Sequence, residues 1–260
     1  VALPHALRLD ARALRAAFRE LTPAGGWMGV VPGAGFEARP ALLDLLAGCA
    51  PLYGNPADVV ARVKDPVRFT SLLDGLGLPH PEVRPNPVAD PRGWLEKRTG
   101  GAGGVHIRPA TRRLPRGAYL QRWCEGRAMS ATFLANGQRA LILGFNEQWS
   151  EGPPARPFLY AGAVSGLQLP AALEAELAGA LDALVLATGV VGLGSLDFLH
   201  DGNAWWILEL NPRPTATMEL HDPGFPRGLF DAHLHACTGE LPPSRPAPRR
   251  RARRATGRRW

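Results

Sequence analysis

The residues best suited to chemistry in this chain are two lysines, a glycine run and a cluster of acids beside one arginine. Of 30 basic residues only Lys64 and Lys97 are lysine. An ammonium is a compact point charge on a flexible stem. It suits a phosphate oxygen in a tight site where a guanidinium fork does not fit. Lys97 stands just before Thr99-Gly100-Gly101-Ala102-Gly103-Gly104. Glycines let backbone N–H groups approach phosphate oxygens and tolerate positive φ. In a Walker A loop the lysine follows the glycines and a helix begins there. Here the lysine comes first and Val105-His106-Ile107-Arg108 is β-rich, so the loop is expected to join strands at 94–98 and 105–108.

The acidic cluster is Asp197, Glu209, Asn211 and Arg213, in two apolar runs flanking Asp201-Gly202-Asn203. Side chains alternate along a strand, so Glu209, Asn211 and Arg213 share a face. Asp197 joins them only if the connecting loop has an odd number of residues. A three-residue loop at 201–203 pairs residue 197 with 207 and sets Asp197 diagonal to Glu209, roughly 7–8 Å away. The two carboxylates then converge on hard cations that also hold phosphate oxygens. A two-residue Asp-Gly turn sends Asp197 to the other face, and the hairpin is then an ordinary one with a wet side. Arg213, fixed between Pro212 and Pro214, is too rigid for a mere surface residue.

Several elements must position these groups. Residues 10–20 read as an amphipathic helix capped by Asp10, residues 27–32 as a short buried strand and residues 39–48 as a second helix. Asp65-Pro66 opens a helix reaching about Gly75, with Asp at the cap and Pro at the first helical position. Strands are expected at 119–124, 128–134 and 141–147. A long helix follows at 170–188, then the hairpin of 194–199 and 204–210, and a helix at 229–237. His233, His235 and Cys237 spread around that last helix, so packing on the hairpin is favoured over metal binding. The aromatics and amides of 143–149 and 157–162 suit either a substrate pocket or a solvent-edge strand.

With 260 residues, 30 glycines and 26 prolines, the chain has room for a sizeable core and many turns. The net charge of +7 resides in residues 244–260, which hold eight arginines and no acid; taking these eight away leaves −1. Residues 244–260 read as a disordered, Arg-rich tail with nucleic acid or an anionic surface as its candidate partner. Cys49, Cys124 and Cys237 are odd in number and in no metal-like spacing, which points to a reducing, cytoplasmic compartment. The most apolar stretch, 177–194, is interrupted by Asp182 and glycines, and no membrane partner is expected.

In this order the motifs resemble the ATP-grasp superfamily of carboxylate–amine ligases, from about Gly54 to Glu240. The shared features are Lys64-Asp-Pro, the Gly77-Leu-Pro-His-Pro81 exit, and Lys97 with its glycine loop. A strand ending in Glu125-Gly126 and the block of Asp197, Glu209, Asn211 and Arg213 complete the set. The resemblance implies an α+β fold in which two lobes clamp ATP, preceded by a partial Rossmann-like lobe. The expected division is 1–62 for that lobe and 63–243 for the ATP-grasp domain. Within the domain, 63–120 is the glycine-loop lid and 121–243 the metal-binding lobe. It implies that Lys64, Lys97, Gly100, Gly101, Gly103 and Gly104 hold the phosphates. Gln121, Arg122, Trp123 and Cys124 then line the adenine slot, largely through backbone groups. Asp197, Glu209 and Asn211 hold two Mg²⁺, with Mn²⁺ as the alternative, and Arg213 and Lys97 act in catalysis.

The implied reaction is amide formation between a small carboxylate and an amine or amino acid, through an acyl phosphate. The chain departs from its relatives where Ala128 replaces a ribose-binding Glu, and in a short 97–121 segment that reduces the lid. Residues 143–162 are similar to ligases linked to methanopterin- and methylofuran-type cofactors, including tyramine–glutamate ligase. A phosphotransferase, or a nucleic-acid-associated protein acting through the tail, is the rival reading. The sequence leaves a homodimer open.

Overall fold

The computed structural model describes residues 10–244 and the backbone of 254–256. Helix α1 (Ala11–Leu21) starts where the Asp10 carboxylate accepts the Ala13 N–H at 2.8 Å. Its Leu14 and Phe18 lean on Leu43 and Leu46 of α2 (Ala41–Ala47). The buried strand expected at 27–32 is a correction. Only Val30 bridges Leu52, in parallel, and Met28 is 91% exposed. Pro32 and Pro51 each lack the N–H that would carry the ladder further.

Helix α3 (Ala57–Lys64), for which the sequence carries no cap signal, ends on Lys64. Asp65 breaks the chain there and caps α4 (Pro66–Leu76), its Oδ1 accepting from Val67 N and Arg68 N. Gly77, at φ +65°, closes α4 in the left-handed conformation that a helix C-terminus favours.

A four-stranded antiparallel sheet follows, in the order β1 (Val83–Arg84), β4 (Ala118–Arg122), β2 (Trp94–Arg98), β3 (Arg108–Pro109). The glycine loop joins β2 to β3, as expected. The return strand is shorter than the predicted 105–108, however. The Ile107 N–H bonds Gly104 O at 3.1 Å, curling residues 104–107 into a turn before pairing begins at Arg108.

The chain then crosses at 123–126 into a six-stranded sheet. Its order is β10 (Arg254–Thr256), β7 (Tyr160–Ser165), β6 (Ala140–Ser150), β5 (Arg127–Asn136), β8 (Val191–His200), β9 (Trp205–Asn211). One face carries Ala131, Phe133, Leu196, Phe198 and Ile207 and buries them under α5 (Ala171–Thr188). The other face changes character along the strands. Leu134 and Leu193 lie under α6 (Leu229–Cys237), while Ser130, Thr132, Ser195 and Asp197 continue the same face as polar groups. That polar stretch is where the site forms.

His233 of α6 serves packing, as expected. Its Nδ1 accepts Leu193 N–H at 2.8 Å and its Nε2 lies 3.1 Å from Tyr53 O, so burial holds the ring neutral. The tail expectation is corrected at three residues: Arg254, Ala255 and Thr256 pair antiparallel with Val164, Ala163 and Gly162. The other residues beyond 244 lie outside the described ones. Among the described residues no helix is long and apolar enough to cross a membrane.

Candidate functional site

The hairpin of β8 and β9 brings the acids together by a route different from the expected one. Its loop has four residues, because His200 pairs with Trp205. The Asp201 carboxylate accepts Asn203 N and Ala204 N, both at 2.8 Å, and makes the loop one residue longer than 201–203. An even loop alone would point Asp197 away from Glu209. A bulge repairs the parity: Phe198 pairs with Ile207 but Asp197 with Glu209, leaving Leu208 as the extra residue. Asp197 and Glu209 therefore stand directly opposite each other on one face, with Ser195 opposite Asn211, rather than on the diagonal.

The Asn211 amide knits this cluster. Its Nδ2 donates to Asp197 Oδ2 at 3.1 Å and Ser195 Oγ at 3.3 Å, and its Oδ1 accepts from Lys64 Nζ at 2.7 Å. Lys64 also donates to Glu209 Oε1 at 2.5 Å. Lys97, 8% exposed, has no ion pair or hydrogen bond to its ammonium among the described residues. Burial pushes its pKa down, and Glu209 and Asp197 offset this only in part. Burial and then Glu209 push Asp197 up to about 6. Burial also opposes ionisation of Glu209, but Lys64, Lys97 and Arg213 outweigh it and hold that carboxylate below its ordinary value.

Two carboxylates and an amide oxygen form an all-oxygen donor set, the kind that hard divalent cations take. Asp197 fits such an ion on a further ground, since a cation would offset the burial and the Glu209 charge that push its pKa up. Phosphate oxygens and water would have to complete the coordination.

A cleft of about 420 Å³ lies over these groups, between the two sheets. Gly101, Gly103 and Gly104 roof it, Gln121 to Cys124 form one end, and Asp197, Glu209, Asn211 and Arg213 form its floor with Lys97 beside them. Lys64 and Gly100 border a smaller space of about 50 Å³ behind, shared with Lys97, Gln121 and Glu209. The side chain of Arg122 lies over the Trp94 ring, 5.4 Å from its centroid, which leaves its backbone to the cleft.

The glycine loop is pressed between two supports. A Cβ on Gly100 would lie 2.5 Å from Ala38 Cα, and one on Gly104 would lie 1.7 Å from Phe158 O. Only glycine permits both approaches.

Three residues of the site were not singled out in the sequence. Glu37, buried at 7%, pairs with Arg213 Nε and accepts Gly35 N at 2.7 Å. Burial opposes its charge, and Arg213 overcomes this to hold the carboxyl below its ordinary value. The only local signal was an acid closing the glycine-rich turn Gly33-Ala34-Gly35-Phe36. Gln148 donates to Asp197 Oδ1 at 3.4 Å, and Tyr160 lines the cleft. Both come from the stretch of aromatics and amides that suited a pocket or an edge strand.

The family model for the ATP-grasp domain matches residues 63–217, and the chain belongs to that family. Among solved structures it is similar to a biotin carboxylase from Campylobacter jejuni, at 15% identity and a TM-score of 0.72. The match covers 91% of this chain and 59% of that one. It is similar to an L-amino acid ligase from Bacillus licheniformis, at 15% identity, a TM-score of 0.69, and coverage of 93% and 63%. It is also similar to a carboxyaminoimidazole ribonucleotide synthase from Aspergillus clavatus complexed with ATP. The figures there are 13% identity, a TM-score of 0.69, and coverage of 94% and 67%. The chain thus spans about six tenths of the first two. No curated protein matches it in sequence.

Proposed function

We propose that this protein is an ATP-dependent carboxylate–amine ligase working through an acyl phosphate. One observation carries the reading. Asp197 and Glu209 face each other on the floor of a cleft that ends at strand β4 and is roofed by the glycine loop. Similarity to an L-amino acid ligase and to an ATP-complexed synthase supports it.

A carboxylate is a poor acyl donor because its leaving group would be oxide. Its attack on the terminal phosphate of ATP releases ADP and gives an acyl phosphate; an amine then attacks the acyl carbon and, through a tetrahedral intermediate, expels inorganic phosphate. The phosphoryl step demands charge neutralisation and alignment more than proton transfer. In this reading the backbone of Gln121 to Cys124 holds the adenine and Lys97 takes a phosphate oxygen. Lys64 fixes Glu209 and Asn211 from below. Asp197, Glu209 and Asn211 would hold Mg²⁺, which supplies positive charge against the phosphates when bound. Arg213, locked by Glu37, presents its remaining N–H groups to the carboxylate. The glycine loop excludes the water that would hydrolyse the acyl phosphate.

The test is an ADP-release screen over pairs of carboxylates and amines with Mg²⁺. Glutamate with tyramine comes first, because residues 143–162 resemble the group that includes tyramine–glutamate ligase. Release of ADP and phosphate that requires both partners supports a ligase. Transfer of phosphate to one substrate without an amine would make the protein a phosphotransferase instead.

A further inference from the structure

We infer that the Tyr160 hydroxyl is a binding group for the terminal phosphate of the bound nucleoside triphosphate, presented by the segment on which the glycine roof rests. The hydroxyl oxygen is buried and has no hydrogen-bond partner among the described residues. A buried hydroxyl without a partner is disfavoured, so one that persists at the wall of a cleft is matched to an absent ligand. Tyr160 lines the same cleft as Asp197, Glu209 and Lys97. The negative charge of Asp197 reaches it, adding to burial in holding the phenol proton more tightly. The hydroxyl therefore stays a donor at any physiological pH, near a carboxylate to which it is not bonded.

The order of groups along the cleft selects the ligand. Adenine at Gln121 to Cys124 puts the terminal phosphate at the carboxylate end, and Tyr160 lines that cleft within reach of the Asp197 charge. An oxygen of that phosphate is the acceptor the phenol lacks.

The backbone adds a second observation. Tyr160 N donates to Gly103 O at 3.0 Å, and Phe158 O is the atom packed against Gly104. Phe158 in turn contacts Trp123, with ring centroids 5.9 Å apart. One short segment thus carries the hydroxyl, seats the roof and touches the adenine end. Seating the roof and offering the donor become one event.

The inference rests on the ligase reading, and its test separates the two. Calorimetric titration of the full chain and of Tyr160→Phe uses Mg·ADP and a non-hydrolysable Mg·ATP analogue. The expected result is a five- to tenfold loss of analogue affinity in the variant, with ADP affinity changed less than twofold. The thermal midpoint of the ligand-free variant should not fall, since the substitution removes an unpartnered group and keeps the ring. Equal analogue affinities in the two proteins, or parallel losses for analogue and ADP, would overturn the inference alone. Absence of any nucleotide binding by the wild-type chain would overturn the ligase reading and this inference with it.

Discussion

Glu37 and Arg213, 176 positions apart in the chain, form a buried ion pair that ties the N-terminal segment to the floor of the cleft. The neighbouring Ala38 is the residue against which Gly100 packs. Residues 35–38 therefore touch both the arginine proposed to face the acyl group and the loop proposed to cover it. Removing one member of a buried pair leaves the other charge uncompensated, at a cost of about 3–5 kcal/mol. Glu37→Gln keeps one acceptor and should lose roughly 1–3 kcal/mol, read by thermal unfolding. Its nucleotide affinity should stay within about twofold while ligation falls at least tenfold. A normal turnover with a lowered melting point would show the pair to be structural only.

Asp197 makes the site pH-dependent. Its proton binds with a pKa of about 6 in the metal-free protein, above the ordinary carboxylate range. A cation must displace that proton, so metal binding is unhindered above pH 6 and weakens as pH falls through it. Mn²⁺ affinity at pH 5.5 should be about fourfold below that at pH 7.5. Magnetic resonance or calorimetric titration at the two pH values measures this, and equal affinities would contradict the assignment.

The same raised pKa bears on stability with the opposite sense. The folded protein binds this proton more tightly than the unfolded chain, so its contribution is lost as pH rises between about 4 and 6. Asp197→Asn removes a buried charge and its repulsion from Glu209 and should raise the melting point of the metal-free protein at pH 7.5, while abolishing binding at the proposed metal site. A lowered midpoint would mean that the carboxylate's hydrogen bonds outweigh its repulsion.

Lys97→Arg should lose nucleotide binding by tenfold or more although the charge is kept. The ammonium is buried, feels the charges of Glu209 and Asp197, and lines the cleft with the glycine loop, where a planar fork cannot reproduce a compact point charge. Titration with Mg·ATP measures the effect. Near-normal affinity would remove Lys97 from the phosphate site.

Glu209→Gln should slow phosphoryl transfer far more than it weakens nucleotide binding, because size is kept while one anionic ligand of the proposed metal site is lost. It also deprives Lys64 of its ion pair. Because the Glu209 side chain is 40% exposed, the loss of stability should be on the order of 1–2 kcal/mol rather than the fully buried value. Single-turnover assays beside nucleotide titration separate the two effects.

Much of this was fixed locally and so was legible in the residues themselves. The Asp10 and Asp65 caps, the Gly77 stop and the strand period of β2, β5 and β8 depend on neighbours a few positions away. The order of lysine, glycine loop and acidic hairpin identified the family for the same reason, since each motif is a short stretch. The tertiary structure decided what local rules leave open. Parity in the hairpin depended on a bulge at Leu208, which arises where β9 must satisfy the α5 core through Ile207 and Leu210 and the cleft through Glu209. Glu37 reached Arg213 only because the N-terminal segment packs over the floor of the cleft. Lys64 met Glu209 because α3, unseen in the sequence, lies against β9. A pairing across more than 140 residues is set by how whole elements pack, and residue spacing carries no measure of that.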